Sequence, residues 1–327
     1  MARVLVAPDD FKGTFTAPQV AGAIGAGLRA AGVEADELPI ADGGDGTIDA
    51  LLVSLGGELR TTRVHDPLGR LVDARWAMLS DGATAVVEMA QASGLGRVAP
   101  GERDPWGAST TGTGELIVAA ANAGARRVLV AVGGSATTDG GAGAVEALRE
   151  AAVEVPITVL CDVRVAFEDA ARVFGPQKGA DPEMVARLTE RLHSLARSAP
   201  RDPRGLEMTG AAGGLSGGLW AHCGAELVDG ARFVLDSVAF DRRLRGADVA
   251  VSGEGRLDAQ TLTGKAVAEV ARRCRAASRP LHVIAGSIDL ALAETDALLL
   301  ASVREASTLA ELERAGHELA TTIAHAP

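Results

Sequence analysis

Val4-Leu5-Val6-Ala7-Pro8-Asp9-Asp10-Phe11-Lys12-Gly13-Thr14 decides the fold. A short aliphatic run breaks at a proline into an acidic turn, and an Ala-rich helix is expected near 17–31. The same texture returns three times. Arg127–Val132 leads through Gly133-Gly134-Ser135-Ala136-Thr137-Thr138-Asp139-Gly140-Gly141 to a helix expected near 142–151. Ala247–Val251 leads through Ser252-Gly253-Glu254-Gly255-Arg256-Leu257-Asp258 to one near 264–277, and Leu281–Ala285 through Gly286-Ser287 to a short helix. Fully apolar strands alternating with helices imply an α/β fold whose parallel sheet is covered on both faces. Ligands of such sheets bind beyond the carboxyl ends of the strands, where these loops lie.

Residues 58–90 read differently. Glu58–Val64, Arg70–Leu79 and Thr84–Met89 are consecutive strands joined by the turns Asp66-Pro67-Leu68-Gly69 and Ser80-Asp81-Gly82, which suggests a β-rich insertion. The expected organisation is therefore a parallel α/β domain of the Rossmann/flavodoxin-like class from 1–57, 125–205 and 237–327. A second, smaller α/β domain is expected from 58–124 and 206–236.

Composition narrows the function. Of 327 residues 47 % are hydrophobic, enough for a large core, yet aromatics are 3 % and Tyr is absent, so Ala, Val and Leu must fill it. With 32 Lys and Arg against 43 Asp and Glu, the net charge of −11 argues against a nucleic-acid or anionic-membrane partner. It leaves room for a small anion held by a few local cations. Cys161, Cys223 and Cys274 fit neither a disulfide framework nor a zinc spacing and are expected as buried thiols. No signal peptide and no apolar run of membrane-spanning length are visible, so a cytoplasmic location is expected.

The chemistry sits in the loops. Asp9, Asp10 and Lys12 follow the first strand, where Lys12 could reach a carboxylate or phosphate and Asp9 a hydroxyl or metal; solvated turn charges are the plain alternative. Ala41-Asp42-Gly43-Gly44-Asp45-Gly46-Thr47 precedes a helix near 47–55, and its glycines permit close backbone approach to a ligand; an Asx-turn with a helix cap is the alternative. Ser109-Thr110-Thr111-Gly112-Thr113-Gly114-Glu115 could meet a phosphate or form a capping box. Gly133–Gly141, between strand and helix, has the composition of a phosphate cradle without being a P-loop or a dinucleotide fingerprint. Phe174-Gly175-Pro176-Gln177-Lys178-Gly179-Ala180 adds a cation, and Gly210–Leu215 another point of close backbone approach. Glu254, Arg256 and Asp258 place one cation between two carboxylates, suited to metal and phosphoryl chemistry or to a structural ion pair. The six His are scattered, and neither a nucleophile elbow nor HExxH is present.

Together these stretches resemble the bacterial type-1 glycerate kinase family. The resemblance lies in Val6-Ala7-Pro8-Asp9-x-Phe11-Lys12-Gly13, Ala41–Thr47, Gly112–Ile117, Gly133–Gly143, Phe174–Ala180, Gly210–Leu215, and Gly253–Thr261 with Gly264-Lys265. It implies two α/β domains with the active site in the cleft between them. It also implies transfer of the ATP γ-phosphoryl group, with magnesium, to a hydroxyl of D-glycerate, 2-phosphoglycerate being favoured over 3-phosphoglycerate. The chain departs from the family pattern in its short Arg149–Pro156 connection, in Arg164–Glu168, and in Asp10, Asp45 and Thr138, where Ser, Glu and Asn are usual.

On this reading Lys12, Asp42, Arg256 and Asp258 are catalytic. Asp42, Glu254 and Asp258 are candidate metal ligands. Thr111, Gly112, Thr113, Gly133, Gly134, Ser135, Ala136, Thr137, Gly140 and Gly141 are expected at the nucleotide, and Asp9, Lys12, Gly43, Gly44, Lys178 and Arg256 at the acceptor. The partners are then glycerate and a nucleotide, with a homodimer among the states allowed. A kinase of another hydroxy or sugar acid and a non-catalytic sensor of an anionic metabolite are the competing readings.

Overall fold

A computed structural model describes residues 2–11, 13–259, 261, 265–289 and 298–324. Lys12, and the short helix expected after Gly286-Ser287, lie outside the described residues. The chain divides into two units: residues 1–42, 49–55 and 231–327, and residues 43–48 and 56–230.

The first unit holds β1 (Arg3–Val6), β2 (Glu34–Glu37), β9 (Val249–Glu254), β10 (Leu281–Ala285) and β11 (Ser302–Glu305) in the order β11-β10-β9-β1-β2. Every pairing is parallel. Renumbered within the unit this is 2-1-3-4-5, the flavodoxin-like order, in which the winding reverses between β1 and β9. Its helices are α1 (Ala17–Ala30), most of α2 (Thr47–Leu55), α9 (Gly230–Ser237), α10 (Phe240–Arg245), α11 (Ala266–Ala276) and α12 (Leu309–Ala324).

Helix α1 starts where Thr16 accepts from Gln19 N while Gln19 accepts from Thr16 N, a capping box with Pro18 in the first turn. Its spacing puts Val20, Ala21, Ile24 and Leu28 on one buried face, joined in the core by Leu312, Ala315 and Leu319 of α12. Each fully buried Ile or Leu contributes about 1.5–3 kcal/mol. Gly27 lies against the backbone of Glu313 and Gly316 against that of Ile24, so a methyl group at either would separate the two helices.

In the second unit β3 (Gly57–His65), β4 (Leu71–Leu79), β5 (Thr84–Glu88), β6 (Arg127–Ala131), β7 (Ile157–Cys161) and β8 (Glu226–Asp229) form one sheet in chain order. β3, β4 and β5 are antiparallel, and β5 to β8 parallel. Around it lie α3 (Ala90–Ser93), α4 (Thr111–Asn122), α5 (Ala142–Glu150), α6 (Ala170–Phe174), α7 (Pro182–Ser198) and α8 (Ala211–Cys223).

This sheet changes the expected organisation in two respects. The strands of 58–90 are not an insertion beside a parallel domain, because β5 continues directly into the parallel ladder through Thr84↔Arg127 to Glu88↔Ala131. Residues 125–205, expected with the first strand, follow that ladder into the second unit, which is therefore the larger of the two. Cys161 and Cys274 are buried as expected, but Cys223 is exposed at the end of α8. Among the described residues no helix is long and apolar enough to cross a membrane.

Candidate active site

In the first unit the loops after β1, β9 and β10 are laced by backbone. Ala7 N donates to Val251 O (2.7 Å) and Asp9 N to Gly253 O (2.8 Å), while Ser252 Oγ donates to Ala7 O (2.8 Å). Gly286 N donates to Glu254 O (3.1 Å) and Leu257 N to Ser287 O (2.9 Å). Gly253 passes so close to Ile284 O that a side chain could not be placed there. The chain after β2 is drawn in by Leu38 N to Val6 O and Ile40 N to Pro8 O (2.8 and 3.0 Å), which delivers Asp42 to the same end of the sheet.

The result is a cavity of about 470 Å³ beyond the carboxyl ends of β1 and β9, where the winding reverses. Asp9, Asp42, Glu254, Arg256 and Asp258 all line it, so five of the expected site residues, 249 positions apart at the extremes, meet in one place. Asp9, Asp42 and Glu254 are at most 6 % exposed. Arg256 is two-thirds exposed and is paired with Asp289 and, at 3.7 Å, with Asp258. Lys12 belongs to this loop in sequence but is outside the described residues.

Burial pushes the Glu254 carboxyl up to about 7. The nearby negative charges of Asp42 and Asp258 add to that rise, while a hydrogen bond from Thr261 Oγ1 (2.7 Å) and the charge of Lys265 oppose it. Lys265 also lines the cavity, at the N-cap of α11, as do Asp10, Thr14, Ser287 and Ser307. Lys265 escaped the expected site although it stands in the Gly264-Lys265 pair of the resemblance. Thr261 carried no signal beyond that motif. Among the described residues no group of three or more His, Cys, Asp or Glu forms a ready-made metal cage.

The second unit holds the Gly133–Gly141 loop expected to cradle phosphate, and here the structure differs from a bare helix N-terminus. Asp139 fills the place an anion would take. Its carboxylate accepts from Thr110 N (2.9 Å), Thr110 Oγ1 (2.8 Å), Gly141 N (3.1 Å) and Gly143 N (3.2 Å), while Thr110 Oγ1 accepts from Ala144 N (3.0 Å). The starts of α4 and α5 are thus tied to one buried carboxylate. Thr110, the N-cap of α4, makes no side-chain cap bond, and Glu115 accepts from His65 N (2.7 Å), so the capping box weighed for 109–115 does not form.

Several expected nucleotide residues are likewise engaged. Ala136 N donates to Ser93 O and Gly140 N to Gly213 O (3.0 and 3.1 Å). Thr113 Oγ1 is bonded to Ser93 Oγ and Thr111 Oγ1 to Ser109 Oγ (2.7 and 2.8 Å). Gly112 packs on His65 O, and Gly133 and Gly134 pack against Gly44 and Asp45, which brings the Gly43-Gly44 turn to the cradle loop. Leu95 N donates to Gly134 O (2.8 Å), and Ser135 bridges to Gly94. Two groups stand apart: the hydroxyls of Thr137 and Thr138, fully buried, have no hydrogen-bond partner. Beneath them the fully buried Lys178 donates to Thr137 O (2.5 Å), so it is not a cation exposed to an acceptor.

Comparison with known proteins agrees with this architecture. The glycerate kinase family model matches residues 4–154 and 148–326. Glycerate kinase of Bacillus subtilis is 38 % identical over 325 residues, covering 88 % of this chain and 85 % of that one. Glycerate 2-kinase of Escherichia coli is 35 % identical with the same coverage. A crystal structure assigned to glycerate kinase 2 of Salmonella typhimurium LT2 superposes with a TM-score of 0.83 at 34 % identity, over 99 % of this chain and 98 % of that one. The chain belongs to the glycerate kinase family, and it is a kinase.

Proposed function

We propose that this kinase transfers the γ-phosphoryl group of ATP to the 2-hydroxyl of D-glycerate. The observation that carries the reading is the acidic cavity at the β1/β9 reversal, where Asp9, Asp42, Glu254, Arg256, Asp258 and Lys265 converge. A dissociative phosphoryl transfer asks for position and charge rather than covalent chemistry. Arg256 and Lys265, with Lys12, supply the positive charge for phosphoryl and carboxylate oxygens. Asp9 orients the acceptor by accepting from a hydroxyl. Asp42 and Asp258 share two tasks, taking the proton of the attacking hydroxyl and holding magnesium.

The residues fit that ion. Magnesium characteristically binds one or two carboxylates together with phosphate oxygens and water, so the lack of a three-residue cage among the described residues is no obstacle. When bound, it would neutralise phosphate charge. In the second unit, the hydroxyls of Thr137 and Thr138 are the groups in want of a ligand oxygen, and we assign them to nucleotide phosphate. We place the reaction in the cytoplasm.

The test is purified protein with Mg-ATP and a panel of hydroxy acids, the product of D-glycerate being read by phosphorus NMR. A 2-phosphoglycerate resonance supports the reading. A 3-phosphoglycerate resonance corrects the position, and turnover of another acid alone replaces the acceptor.

A further inference from the structure

Lys178 is a buried cation that the proposed reaction leaves unexplained. It is 1 % exposed at the end of a short turn, Pro176–Lys178, closed by Gly179. Its ammonium donates to Thr137 O (2.5 Å) across 41 residues of chain. Asp139, two residues beyond Thr137, is the charged group that acts on it. Arg103 lies outside, over Gly179, and is bonded to Gln177 O (3.1 Å). The same loop carries the two buried hydroxyls without partners. A buried hydroxyl left unpaired is destabilising, so a fold that leaves two on consecutive residues is matched to something that binds them.

We propose that Lys178 is a positioning residue for phosphate binding: anchored on Thr137 O, it holds the Thr137 and Thr138 hydroxyls toward a nucleotide phosphate and places a positive charge beneath the loop without touching the ligand. This rests on the assignment of that loop to nucleotide. Burial supports it by lowering the Lys178 ammonium to about 7, against which Asp139 acts. Near neutral pH the side chain is therefore partly uncharged, and an arriving phosphate restores its proton. Nucleotide binding then takes up a proton, which a merely structural lysine would not do.

The experiment is calorimetric binding of ADP at pH 8 in two buffers of different ionisation enthalpy, using the full chain, with K178M and the pair T137V/T138V alongside. The expected result is uptake of more than half a proton per ADP by the unaltered protein. K178M should bind at least tenfold more weakly and lose that uptake. T137V/T138V should bind more weakly while keeping part of it. Equal affinity and equal uptake in K178M overturn the role of Lys178. If T137V/T138V binds ADP normally, the hydroxyls serve only water and the loop is not the nucleotide site. If K178M instead raises the KM for glycerate alone, the loop serves the acceptor and its nucleotide assignment fails. Should K178M not fold, normal ADP binding by T137V/T138V is enough to sink the proposal.

Discussion

Two loops of the same texture, Gly- and Asp-rich between a strand and a helix, do opposite things in this molecule. After β9, Glu254, Arg256 and Asp258 turn their charges into a cavity. After β6, Asp139 turns its charge inward and accepts the N–H groups of Gly141 and Gly143, with both donors of Thr110. The first loop sets its acids along the wall of a cavity; the second uses its acid to build itself.

Substitutions that separate activity from stability test this contrast most sharply. In the first loop, D258N should fold normally and lower kcat by about 10²–10⁴, the range of a lost general base. Steady-state rates together with a thermal melt read both quantities, and turnover near the unaltered level would remove Asp258 from the chemistry. In the second loop, D139A should do the reverse at the level of the fold. Removing one member of a buried, charge-assisted set costs about 3–5 kcal/mol, because Thr110 N, Gly141 N and Gly143 N lose their acceptor and Lys178 its counter-charge. Urea unfolding measures it, and a loss below about 1 kcal/mol would mean that the Asp139 network does not hold the helix starts.

Much of this was legible in the sequence, and what was not has a physical cause. The four strand–loop–helix stretches predict a parallel sheet, since a fully apolar run of five residues has little use except a strand covered on both faces. Asp9, Asp42, Glu254, Arg256 and Asp258 were each legible as candidates, but their convergence depends on the crossover order β2-β1-β9, which no local pattern contains. The second unit misled because β3 and β4 carry the half-exposed alternation of a free-standing hairpin sheet. Only the β5–β6 pairing, 43 residues apart, joins them to the apolar ladder. Lys178 misled because a lysine next to glycine signals a cation open to substrate, whereas its ammonium is buried and donates to Thr137 O.

A smaller effect sharpens the first loop. Folding favours the neutral form of Glu254, whose carboxyl is raised from 4.5 to about 7. That contribution is complete below pH 4.5 and is lost as pH rises through 7, leaving a buried charge. In metal-free buffer with EDTA, E254Q should match the unaltered protein near pH 4.5. It should be more stable by roughly 2–3 kcal/mol at pH 8.5, since each tenfold change in the proton equilibrium is worth about 1.4 kcal/mol. Gln keeps an oxygen for Thr261 Oγ1. Equal stability at both pH values would show that the carboxylate is well solvated.

The smallest effect tests how firmly the second loop is braced. Ala212, Gly213 and Gly214 are three consecutive left-handed residues at the start of α8, and Gly213 O accepts from Gly140 N (3.1 Å). Gly213 has no alternative, since a methyl there would overlap Thr137 O. Ala212, at φ 52° and ψ 43°, is the strained member. Replacing it by Gly relieves about 1–2 kcal/mol of left-handed strain. The change also removes a methyl from the core of the second unit, worth about 0.8 kcal/mol, and adds about 0.4–1 kcal/mol of freedom to the unfolded chain. These magnitudes nearly cancel, so A212G should alter stability by less than about 1 kcal/mol in urea unfolding. A gain of 2 kcal/mol or more would mean that the turn stores more strain than its dihedral angles require. The brace on the Thr137–Gly140 loop would then be under load, and loosening it should weaken ADP binding in the same variant.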